Sequence, residues 1–321
     1  MRILITGVTG FVGGHLAERL LAEGGHTLVG ISRRAAWPQE LSAFANHVAL
    51  AALDLQNGPA VEAHLASHKP DCIYHLAGYA NTGKSFEEPD LCWADNLTAT
   101  RTLYDAIGRA KLAPRVVYIS SGLIYGEPDE PGRDCDERTT LKPASPYAAS
   151  KAAADLMSFQ YSRTAGLNVV RVRLFNQVGP RQSADYSVAN FARQIAAAEA
   201  GKQEPVLTTG DLSAQRDITD VRDMAAALCL LATRGDRGEA FNAGRGQTYP
   251  IQGLLDRLVA MARVKVEVRS SNDLGRKSDT AVTRADTTKL RTATGWVPAI
   301  PIDKTLEDTL DYWRGVARKS P

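Results

Sequence analysis

Residues 2–6, Arg-Ile-Leu-Ile-Thr, form a short apolar run, and Gly7-Val8-Thr9-Gly10-Phe11-Val12-Gly13 follows at once. The run reads as a buried strand. Behind it Val12, Leu16 and Leu20 recur at i,i+4, the spacing of one helix face. A strand that enters a helix through small residues lets backbone N–H groups at the helix N-terminus approach a pyrophosphate. The spacing here is Gly-x-x-Gly-x-x-Gly rather than Gly-x-Gly-x-x-Gly. Placed directly after the first strand, Gly7, Gly10, Phe11, Val12 and Gly13 are predicted to bind a dinucleotide.

The second strand, Thr27-Leu28-Val29-Gly30-Ile31, ends in Ser32-Arg33-Arg34, and no Asp or Glu stands between 24 and 38. An acidic residue there commonly holds the ribose 2′-hydroxyl of NAD, whereas arginine accommodates the 2′-phosphate of NADP. Ser32 and Arg33 therefore point to NADP(H) over NAD(H). Asp54 and Leu55 follow the apolar run 48–53 and would set a carboxylate near the adenine. A further strand runs through Ile73-Tyr74-His75, and Leu76, Ala77 and Gly78 are small or apolar where the backbone would skirt the cofactor. His75, flanked by apolar residues, reads as a packed structural histidine.

Strand patterns recur at 116–121 and 167–174, with helical stretches between. Such βαβ alternation predicts an α/β fold, a doubly wound parallel (Rossmann) sheet with active groups beyond the carboxyl ends of its strands. The dinucleotide-binding domain is expected over 1–175, with 217–245 returning to it. A smaller mixed α/β substrate lobe is expected from 176–216 and 246–321, including a helix around 187–200.

Chemistry is suggested by Tyr147-Ala148-Ala149-Ser150-Lys151. On a helix over 146–165, Tyr147 and Lys151 sit one turn apart on one face, where an ammonium would favour the anionic phenol. A phenol so placed can exchange a proton with a carbonyl while a nicotinamide exchanges hydride. Ser121, at the end of a strand, is where a hydroxyl partner for Tyr147 would be wanted.

The 321 residues suffice for one large or two modest domains. A net charge of +2 gives no warrant for nucleic acid as a partner, and no apolar run reaches membrane-span length. The N-terminus enters a strand without a signal-peptide pattern. Cys72, Cys92, Cys135 and Cys229 lack metal-ligand spacing. Reduced thiols, no metal and a cytoplasmic location are expected.

Together these residues resemble the extended short-chain dehydrogenase/reductase family, in its nucleotide-sugar epimerase/dehydratase branch. The resemblance runs from the glycine turn through Asp54-Leu55, His75 to Gly78, Asn96, Ser121 to Gly126, Tyr147/Lys151 and Arg173 to Asn176, then Val178-Gly179-Pro180, Arg216-Asp217 and 294–298. It implies a catalytic Ser121, Tyr147 and Lys151, with Tyr147 and Lys151 also touching the cofactor beside Asn96. It implies substrate contacts from Ser85, Ser121 and Asn176, and phosphate contacts from Arg216 and Arg276. Lys277 stands where a proline commonly follows the arginine at 276, and Ala99 where glycine is usual. Residues 201–205 and 210–217 look most like the GDP-mannose group, whose members typically use NADP(H).

Sugar 4,6-dehydratases of this branch place a general-base Glu two residues before the Tyr of Ser121-Gly122-Leu123-Ile124-Tyr125-Gly126, and here that position is Leu123. The resemblance therefore implies reduction of a GDP-4-keto-6-deoxy sugar, GDP-4-dehydro-6-deoxy-D-mannose to GDP-D-rhamnose. A 4-epimerase with tightly held NAD is the enzymatic rival, and a non-catalytic NADP-binding sensor the other alternative. A homodimer through helices beginning near 92 and 147 is also implied. Leu103, Ala106, Ile107, Ala152, Ala153, Leu156 and Met157 could serve that interface or the core.

Overall fold

In the computed structural model, residues 1–34, 36–127, 133–271 and 282–319 are described. The chain first lays down β1 (Arg2–Thr6), α1 (Phe11–Glu23), β2 (Thr27–Ser32), β3 (Val48–Ala52), α2 (Gly58–His68) and β4 (Cys72–His75). There follow α3 (Pro89–Trp93), a π-turn at Ala94–Thr98, α4 (Ala99–Arg109), β5 (Arg115–Ser121), α5 (Pro146–Thr164) and β6 (Asn168–Leu174). The remainder comprises β7 (Asn176–Val178), α6 (Ser187–Glu199), β8 (Val206–Thr209), β9 (Gln215–Asp220), α7 (Val221–Arg234), β10 (Ala240–Ala243) and β11 (Thr248–Pro250). It closes with α8 (Ile251–Ala260), β12 (Glu267–Ser270), β13 (Val282–Thr283), α9 (Thr288–Thr294) and α10 (Ile302–Lys319).

Seven strands form one sheet in the order β10-β6-β5-β4-β1-β2-β3, and every pairing in it is parallel. Both faces are covered, which is why the strands read as near-continuous apolar runs. Along β1, Ile3 and Ile5 pack towards α1 and α7, while Leu4 packs towards α2, α4 and α5. Along β5, Val117 and Ile119 share the first core and Val116 and Tyr118 the second, as a side-chain period of two requires. The doubly wound Rossmann sheet expected from the sequence is thus the fold.

The chain runs outward from β1 through β2 to β3, then crosses back to β4 and continues the other way. That reversal opens a crevice beyond the ends of β1 and β4, where ligands of such sheets bind. The segment 217–243 divides between two sheets. Residues 217–220 belong to β9, which pairs with β7, β11 and β13, whereas β10 joins the main sheet beside β6. A separate core around Ile195, Leu255, Leu306 and Leu310 gathers α6, α8 and α10.

Leu103, Ala106, Ile107 and Ala152 lie in the core. Leu156 is 57% exposed, and Phe86, Leu91, Trp93 and Phe159 stay exposed on α5, on α3 and in the turn before α3. No helix among the described residues is long and apolar enough to cross a membrane.

Candidate active site

A cleft of about 860 Å³ lies at the reversal point. Its floor is the glycine turn. Gly7 adopts φ +72°, and a Cβ there would come within 2.8 Å of Ala77 N, so the turns after β1 and β4 touch backbone to backbone. A Cβ on Gly13 would meet Gly7 O at 2.3 Å. Helix α1 begins at Phe11 with no side-chain cap on its first N–H groups. Gly7, Gly10, Phe11, Val12, Gly13, Leu76, Ala77 and Gly78 all line the cleft.

Helix α5 starts cleanly: Ser145 Oγ accepts from Ala148 N at 3.2 Å, and Pro146 fills its first turn. Tyr147 and Lys151 follow on the face toward the cleft, and Ser121 meets them from the end of β5. Lys151 is buried, and its Nζ donates to Ile119 O at 2.9 Å. Burial draws its pKa down to about 8. Burial also pushes the Tyr147 phenol up to about 12, against a lowering hydrogen bond with Ser121. This differs from the sequence expectation of a phenol made acidic by its lysine. Burial is the largest influence on the phenol, and the ammonium is engaged by the β5 carbonyl.

Asn96 is buried in the π-turn and donates from Nδ2 to Ser150 Oγ at 2.9 Å. Its Oδ1 is buried without a partner and faces the space a Gly78 side chain would take. His75 is structural, as expected. Thr100 Oγ1 gives its proton to Asn96 O, so His75 Nε2 donates to Thr100 while Nδ1 accepts from Thr6. Burial lowers the ring to about 3.

Ser32, Arg33, Asp54 and Leu55 line the cleft where β2 and β3 end. Asn176 lines it too, and its Nδ2 donates to Asp217 O at 3.3 Å. Arg216 stands on β9, two residues before Ile218, the strand partner of Asn176, and is not part of the lining. Ser85 is fully buried outside the lining. Its hydroxyl donates to Thr82 O at 2.6 Å and accepts from Tyr147 N at 3.3 Å, so it fastens the start of α5 while Thr82 faces the cleft. Arg276 lies outside the described residues.

Three lining residues carried no sequence signal that singled them out. Tyr186, ahead of α6, donates to Ala80 O at 3.0 Å and sits close enough to Tyr147 to raise its phenol further. Gln182 is buried, donates to Gln177 O, and holds Oε1 without a partner. Asp95 reaches Arg33 from the π-turn; its one available signal was adjacency to Asn96.

A family profile described as GDP-mannose 4,6 dehydratase matches residues 4–309. The chain belongs to this family. GDP-6-deoxy-D-mannose reductase of Pseudomonas aeruginosa is 31% identical over 99% of this chain and 99% of its own length. The structure of RMD from Pseudomonas aeruginosa complexed with NADPH superposes with TM-score 0.84 at 31% identity, covering 98% of this chain and 99% of that one. Thermus thermophilus UDP-glucose 4-epimerase in complex with NAD gives TM-score 0.86 at 30% identity, over 98% and 99% of the two chains.

The GDP-mannose 4,6-dehydratase family sits among the nucleotide-sugar short-chain dehydrogenase/reductases, whose members are NAD(P)-dependent oxidoreductases, epimerases and dehydratases. A nicotinamide dinucleotide fits what this member offers: a glycine cradle, an uncapped helix N-terminus and an unpartnered Asn96 Oδ1. Such a cofactor supplies or accepts hydride.

Proposed function

We propose that the protein reduces a GDP-linked 4-keto-6-deoxy sugar with NADPH, converting GDP-4-dehydro-6-deoxy-D-mannose to GDP-D-rhamnose. The observation that carries this reading is what surrounds Tyr147. Ser121, Tyr147 and Lys151 converge, Leu123 lines the cleft beside them, and the carboxylates among the lining residues are Asp54 and Asp95, both at the adenosine end. A ketone can be protonated there, but no carboxylate among the described lining residues stands ready to take a C5 proton. Hydride arriving at C4 builds charge on the oxygen, which Tyr147 quenches by proton transfer while Ser121 orients it. Lys151 holds the phenol in place and grips the nicotinamide ribose. Asn176, Arg216 and Arg276 are the proposed contacts to the nucleotide sugar, the arginines as guanidinium forks for diphosphate.

The test is direct. Mixed with NADPH and GDP-4-dehydro-6-deoxy-D-mannose, the protein should consume reduced nicotinamide and release GDP-D-rhamnose in equal amounts. Interconversion of nucleotide-sugar C4 epimers with no net cofactor consumption would instead establish the second reading, an epimerase. That reading has one specific support, the acidic Asp95 at the ribose end of the site. The exposed Phe86, Leu91, Trp93, Leu156 and Phe159 support a homodimer through α3 and α5.

A further inference from the structure

At the end of β2 the sequence places arginines and no carboxylate, yet the fold delivers one from elsewhere. Asp95 Oδ2 lies 3.1 Å from Arg33 Nη1, and Gln56 Nε2 lies 3.4 Å from Asp95 Oδ1. The two partners differ in freedom: the Asp95 side chain is 9% exposed and that of Arg33 65%. Burial, with Asp54 adding to it, raises the Asp95 carboxyl above its ordinary value, while Arg33 and the Gln56 amide draw it back down. The adenosine end of the lining carries Arg33 and Arg34 against Asp54 and Asp95. Among the described residues the two signs balance, and this part of the lining has no charge excess to attract a phosphate dianion.

We propose that Asp95 is a specificity-determining residue that competes with the cofactor 2′-phosphate for Arg33 and so narrows the preference for NADPH over NADH. The inference rests on the reading above of Arg33 as the 2′-phosphate partner. A 2′-phosphate must take the guanidinium from a buried carboxylate that is then left without its counter-charge, and leaving a buried charge unpaired is costly. A free 2′-hydroxyl does not compel that exchange. The π-turn makes the arrangement possible by presenting Asp95 to the adenosine end while the next residue, Asn96, faces Gly78 and α5.

The experiment measures dissociation constants for NADPH and NADH by nicotinamide fluorescence on the full chain. The variants are Asp95→Asn, Arg33→Ala and the double variant. Asp95→Asn is expected to tighten NADPH about three- to fivefold, the upper scale of one partly exposed charge pair, and to leave NADH within about twofold. In the Arg33→Ala background the same change should have less than about a twofold effect. Unchanged or weakened NADPH binding in Asp95→Asn, or an undiminished gain without Arg33, overturns the proposal. Loss of both cofactors would mark Asp95 as a structural support and overturn it equally. If Arg33→Ala leaves NADPH affinity unchanged, the 2′-phosphate assignment falls as well; if it weakens NADPH while Asp95→Asn does nothing, only the role of Asp95 falls.

Discussion

Gly78 and Asn96 are packed so closely that a methyl group on Gly78 would lie 2.5 Å from Asn96 Oδ1 and 3.3 Å from Lys151 Nζ. Asn96 cannot swing aside freely, because its Nδ2 is tied to Ser150 Oγ on α5. The turn after β4, the π-turn and α5 are therefore held in one contact. Gly78→Ala should cost about 1–3 kcal/mol through overpacking. It should also weaken cofactor binding more than a change on the outer surface would. Thermal melting and NADPH titration check both, and an unaltered protein would mean that Asn96 has room to move.

Tyr147→Phe removes the proposed proton donor and keeps the ring. Turnover should fall by at least ~10²-fold, the scale of a positioned acid, with cofactor affinity almost unchanged. Lys151→Met should damage both. Near-full activity in Tyr147→Phe would place the proton source elsewhere.

Lys151 has a distinct pH signature. With its pKa lowered from 10.5 to about 8, the ammonium is lost within the working range. NADPH affinity of the free protein should therefore decline as pH rises through about 8. Stability moves the opposite way. Between about 8 and 10.5 the unfolded chain binds more protons at this group than the folded one, so its contribution to stability rises with pH. Titrations of cofactor binding and of melting temperature should separate in that window, and Lys151→Met should abolish the divergence.

Leu123 predicts that GDP-mannose is not converted to its 4-keto-6-deoxy product. Mass spectrometry of an incubation with NADP⁺ checks this, and sustained product formation would require a base from outside the described cleft lining.

Asp217 is buried and accepts from Arg245 N, Gly246 N and Ala285 N at 2.8, 2.9 and 3.1 Å. An amide in its place must turn its NH₂ toward at least one of those donors. Asp217→Asn should cost about 1–3 kcal/mol, the penalty of an unsatisfied buried group. Burial raises the carboxyl to about 6. Between 3.8 and about 6 the folded chain holds the extra proton, so this group's contribution to stability falls as pH rises. Melting temperatures of the two proteins across that range measure the effect.

The sequence alone determined the local parts of this protein. The glycine turn, the strand runs of β1, β5 and β6, and the placing of Tyr147 and Lys151 on one helical turn follow from rules spanning a few residues. Side-chain period, helix pitch and glycine's freedom at positive φ are short-range properties, legible in any window of the chain. Tertiary structure decided which distant groups meet. Arg33 and Asp95 are 62 residues apart in sequence, and they meet because β4 lies against β1, which brings the π-turn alongside the end of β2. The commitment of Ser85 to Tyr147 N and of Lys151 to Ile119 O likewise arises only once α5 packs on β5. Charge and desolvation act through space rather than along the chain, so the partners of these charged groups became visible only when the sheet order was known.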